Sequence, residues 1–188
     1  AGRNLPEVTK RLKEITNSAI STESAMRATA LATGAGFSVE QLEGLTKIAK
    51  GASIALGRDL TDALDRLVRG TAKLEPEILD ELGIMVRLDT AVQNYASQLG
   101  KSADALTDFE RRQAFLNETL TQGEKKYFDI ADAIDTNPYD KLAASLSNLQ
   151  KTIVGFVNNT LNVSEGINFL ANNVTSLAVV ATALGGTL

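Results

Sequence analysis

Apolar residues in this chain return at steps of three and four, and glycine cuts the pattern at helix-length intervals. Val39, Leu42, Leu45, Ile48, Ala49, Ala52 and Ala55 line one face up to Gly57, and Leu60, Ala63, Leu64, Leu67 and Val68 line the next up to Gly70. A strand alternates its side chains with a period of two and would turn half of these into water. The pattern predicts helices packed on one another through short links. Ser38 and Gln41 stand three apart as a capping box, and Asp59 is placed to cap the helix that follows.

The same pattern extends in both directions. Leu5, Val8, Leu12, Ile15 and Ala19 form a stripe behind Asn4 and Pro6, placed as cap and first turn; it seats on a globular core or pairs with copies of itself. A helix over Thr22 to Thr33 ends in Gly34-Ala35-Gly36, where glycine takes a left-handed cap. Pro76 opens a short helix through Leu82 with Gly83 as its stop, and the apolar Ile84 to Leu88 is not read as strand. Asp89 caps a helix reaching Leu99, and Gly100 ends it. Thr107 with Glu110 makes a second capping box before a longer helix from Asp108 to about Ile134, and Asn137-Pro138 then breaks the chain. The core is expected from Leu42, Leu45, Ile48, Leu56, Leu60, Leu64, Leu67, Leu79, Leu82, Val92, Leu99, Phe109, Phe115 and Leu116.

Histidine and cysteine are absent, which removes the commonest general base, every thiol nucleophile and the soft metal ligands. No cofactor or metal is expected, and the chain is not read as an enzyme. A net charge of −4 offers no overall basic surface, so no specific nucleic-acid binding is expected. Gly34-Ala35-Gly36 lacks the preceding strand and the lysine of a phosphate loop. Glu75, Glu77, Asp80 and Glu81 gather carboxylates round Pro76, where a helix N-terminus favours them. Arg58, Arg66, Arg69, Arg111 and Arg112 have Asp59, Asp62, Asp65 and Glu110 beside them, the ordinary makings of ion pairs. Four Asn-x-Ser/Thr sequons, at Asn117, Asn158, Asn162 and Asn173, would matter only in a secreted protein, and no signal-peptide segment opens the sequence.

Beyond Pro138 the character changes. Tyr139, Leu142, Leu146, Leu149, Ile153 and Phe156 follow a seam-like spacing, the signature of an extended amphipathic helix. Lys151 is the last basic residue and Glu165 the last charge, so Gly166 to Leu188 carries none. Leu142, Leu146, Leu149 and Ile153 are the candidate oligomer seam. Leu177, Val179, Val180 and Leu184 are the candidate membrane-active residues, in a run about as long as the roughly 20 residues that span hydrocarbon.

Ala52-Ser-Ile-Ala-Leu-Gly-Arg-Asp-Leu-Thr-Asp-Ala-Leu-Asp-Arg-Leu-Val-Arg-Gly70, with Lys73-Leu-Glu-Pro-Glu-Ile-Leu-Asp-Glu-Leu-Gly-Ile84, resembles the helical domain of tailed-bacteriophage tape-measure proteins. Thr107-Asp-Phe-Glu-Arg-Arg-Gln-Ala-Phe-Leu-Asn117 and Asn137-Pro-Tyr-Asp-Lys-Leu142 extend the resemblance, which covers about Ala25 to Leu142. It implies a long helical protein held as several copies, by preference three, in the tail lumen or tip of the virion. There its length helps set tail length during assembly. Tail-tube and tail-tip proteins would be its partners, together with the host membrane and cell envelope once it is released ahead of the genome.

These readings divide the chain into an N-terminal amphipathic helix (1–21), a helical globular domain (22–136), an amphipathic helix and coiled-coil candidate (137–163) and an apolar segment (164–188). The expected fold is all-α: a compact helical domain followed by an extended amphipathic helix and an apolar C-terminal helix. Opening without Met and stopping within an apolar run, the sequence reads as a piece of a longer protein near the tail tip. A different class also fits: a membrane-active helical toxin or effector, in which a soluble bundle shields an apolar hairpin until triggered.

Overall fold

The computed structural model describes residues 5–133 and 144–152. Every regular element among them is helical: α1 (Leu5–Ile15), α2 (Thr22–Gly34), α3 (Val39–Leu56), α4 (Leu60–Lys73), α5 (Pro76–Asp80), α6 (Leu88–Gln98), a 3₁₀ turn (Ala103–Ala105) and α7 (Asp108–Ala133). Residues 144–152 are helical as well. The helix break at Asn137-Pro138 and the segment 164–188 lie outside the described residues. No helix among the described residues is long and apolar enough to cross a membrane.

Helix α3 is the hub, packing along α7 and also against α4 and α1. Its start is set by chemistry that the sequence advertises. The Ser38 hydroxyl accepts the Gln41 N–H at 3.2 Å, and the Gln41 side-chain oxygen accepts the Ser38 N–H at 2.8 Å. The capping glutamine also reaches across the bundle, donating to the Gln113 side chain on α7 at 2.8 Å, while Gln113 donates to the Gly36 carbonyl. One residue thus caps α3 and sets the height of α7 against it. Leu42, Leu45, Ile48, Leu64, Leu67, Phe115 and Leu116 fill the space between, all buried. Each such side chain contributes about 1.5–3 kcal/mol on leaving water.

The close approach of α3 and α7 depends on glycine. Ile48 sits over Gly123, where an added Cβ would lie 2.6 Å from its Cδ1, and the Tyr127 backbone passes directly over Gly51. Tyr127 is buried beside this crossing and donates its hydroxyl proton to the Leu82 carbonyl.

Several expectations need correction. Helix α4 does not end at Gly70 but runs to Lys73, capped by Leu74 in the left-handed region. Gly70 is there for space: a Cβ would stand 3.1–3.2 Å from Leu79 and Ile78 of α5. Asp89 lies inside the first turn of α6; Arg87 is the N-cap, with no side-chain hydrogen bond. Leu56, Leu99 and Phe109 are not core, being 47%, 44% and 49% exposed. All three sit at helix ends, where an apolar stripe runs past the helix it packs on. The Phe109 ring lies instead on the backbone of Gly36.

Helix α1 belongs to the common core, for Val8 and Leu12 are buried against α2 and α3, and Arg11 pairs with Glu43 at 2.9 Å. Between α5 and α6, Ile84 and Val86 are buried and Met85 between them is exposed, the alternation of an extended segment. Gln122 stands in for a neighbouring strand, taking the Met85 N–H and donating to the Met85 carbonyl, both at 3.1 Å.

Candidate association surface

The described part of the C-terminal region, residues 144–152, does not run free of the bundle but lies along α2. Its hold is polar. Helix α2 begins at Thr22, whose N–H is one of the donors that a helix N-terminus leaves without an internal partner. The Asn148 side-chain oxygen accepts it at 3.0 Å, and Lys151 pairs with Glu23 one residue on. Ala144 is buried on the same side. Asn148 and Lys151 also wall an open groove of about 730 Å³, with Leu5, Met26 and Ala30 contributing apolar surface and Glu23 and Arg27 charge.

Helical geometry then decides where the leucines go. At about 100° per residue, Ala144, Asn148 and Lys151 fall on one side, and Leu146 falls roughly 140–160° round from them. Leu146 is accordingly 46% exposed, and Leu149, nearer the edge of the docked side, is half-buried. The other two members of the expected seam, Leu142 and Ile153, lie outside the described residues, as do Leu177, Val179, Val180 and Leu184.

Elsewhere, of the carboxylates and arginines singled out from the sequence, Arg58, Arg66 and Arg69 pair with Asp62, Asp65 and Glu81, whereas Glu110 pairs with Lys101 rather than with the neighbouring Arg111 or Arg112. Arg58 and Arg66 both reach Asp62, at 2.9 Å, and Glu81, at 3.6 and 2.7 Å, closing a ring that ties α4 to the end of α5. Burial raises the Asp62 carboxyl, but hydrogen bonds from Arg66 and Arg58 outweigh it and hold the group below its ordinary range. Arg69 pairs with Asp65. Gly34-Ala35-Gly36 is a helix terminus, with the Ala35 N–H bonded to the Leu31 carbonyl, the Gly36 N–H to the Thr33 carbonyl and Gly36 at φ +83°. Among the described residues no three metal-binding side chains converge.

No family model matches the chain, and no solved structure matches it.

The arrangement is therefore one of surfaces: a helix pinned by polar contacts along one side with large apolar side chains on the other. Asn148 is the residue that sequence reasoning missed. It stands between two seam leucines as an ordinary polar position, and the donor it satisfies is 126 residues away.

Proposed function

We propose that the chain is a structural segment of a tailed-bacteriophage tape-measure protein, occupying the tail lumen or tip and associating with copies of itself through the face that carries Leu146 and Leu149. The sequence resemblance over about Ala25 to Leu142 and the all-helical architecture support the assignment to a tail protein. The observation that carries the association is the exposure of Leu146 on a helix whose opposite side is already engaged. Covering a leucine of that exposure removes apolar area from water, and a short helix gains most of its stability from such packing. Three copies are the preferred number, and host-membrane contact by Leu177, Val179, Val180 and Leu184 belongs to the same proposal.

Light scattering tests the association. The expected result is a trimer that dissociates when Leu146 and Leu149 are both replaced by Asp, with helical circular dichroism retained; a wild-type monomer at all concentrations refutes it. Mass spectrometry of virions before and after triggered genome ejection tests the location. Peptides of this chain are expected before ejection and depleted after it, and their absence from intact virions refutes the tail assignment.

A further inference from the structure

The described bundle is built on two apolar clusters of unequal size. The large one takes side chains from α1 to α5, α7 and the Ile84–Val86 segment; the small one consists of Val92, Ala96, Leu106 and Ala114. Helix α6 packs mainly on α7 and the 3₁₀ turn, and among the described residues it joins the main core through Ala91, with the half-buried Leu88 packed against that core. It is 11 residues long and has no side-chain cap at its start. A helix of that length is marginal in water without a packed face.

Both ends of this stretch are nevertheless tied down. Before it, Tyr127, Lys126 and Gln122 of α7 hold the carbonyls of Leu82, Gly83 and Met85. After it, Glu110 accepts hydrogen bonds from the Thr107 N–H and hydroxyl; its ion pair with Lys101 lies within the stretch and breaks when the stretch lifts. The anchors at Leu82–Met85 and Thr107 do not depend on α6 being helical.

We propose that residues 88–106 form a strap: α6 and the 3₁₀ turn lift from α7 and lose their structure as one unit, between fixed anchors, while α1 to α5 and the rest of α7 stay folded. The opening uncovers Ala114 and the adjoining side of α7 and releases Val92, Ala96 and Leu106 into water. Sub-global opening of this kind belongs to segments with few buried apolar contacts.

Native-state amide exchange on the full chain tests it. Amides of α6 from Val92 to Gln98 are expected to exchange at least about 100-fold faster than those of α3 from Leu45 to Ala52, with one shared denaturant dependence that is smaller than that of α3 but not zero. Leu64→Ala weakens only the main core, and is expected to speed α3 exchange by about tenfold or more and to leave α6 unchanged. Ile48→Val serves the same purpose more mildly if Leu64→Ala fails to fold. Equal protection of α6 and α3 in the wild-type chain overturns the strap, and so does a parallel rise of both in either variant.

Discussion

Replacing Gly51 by Ala sets helix propensity directly against packing. Within a helix, alanine is favoured over glycine by about 0.5–1 kcal/mol, so propensity alone predicts a more stable protein. The structure predicts the opposite. A Cβ at Gly51 would stand 2.8 Å from the Tyr127 Cβ, 3.0 Å from its carbonyl carbon and closer still to its carbonyl oxygen. Two of those atoms are backbone, so no rotamer change relieves the contact and α3 and α7 must separate. A gap of about 0.5–1 Å forfeits a quarter to a half of the attraction between the atoms concerned. Overpacking of this kind costs about 1–3 kcal/mol, and more when backbone must move. With propensity subtracted, a net loss of about 2 kcal/mol is expected, lowering Tm by about 4–8 °C for a chain of this size. Thermal and urea denaturation followed by circular dichroism measure it. Gly34→Ala is the control: this exposed glycine closes α2 with nothing within 4 Å of its would-be Cβ, so the same exchange there is expected to be neutral or stabilising. A Gly51→Ala protein as stable as the wild type would refute the packing argument.

Two further outcomes are expected. Hydrogen bonds from Lys101 first, then from the Thr107 backbone and hydroxyl, hold the Glu110 carboxyl at about 2, against an ordinary value of 4.5. A depressed carboxylate contributes stability that is present above its unfolded value and lost as pH falls towards its folded one. Stability should therefore decline between pH 4.5 and about 2, and Glu110→Gln should flatten that part of a pH titration of urea midpoints. Ser38→Ala removes the acceptor for the Gln41 N–H and should cost about 1 kcal/mol; an unchanged urea midpoint would show that the capping box contributes nothing.

The helices and many of their ends could be read from local chemistry. Pro76 opens α5, Ser38 with Gln41 and Thr107 with Glu110 close their capping boxes, and Gly57, Gly83 and Gly100 adopt the positive φ that a helix stop requires. Such signals are legible because each depends on residues within one turn of chain. Gly70 shows the limit, since glycine ends a helix in one context and makes room for a neighbour in another, and only the presence of Ile78 and Leu79 opposite tells the two apart. Burial has the same limit: a stripe at helical spacing names an apolar face but not how far the partner helix extends, so Leu56, Leu99 and Phe109 share the pattern of the core without its environment. The candidate seam divides along the same line. Spacing alone put Leu146 and Leu149 on one face of a helix, but their direction was decided by Asn148 and Lys151 meeting the first turn of α2, a contact between residues far apart in sequence that no local pattern records.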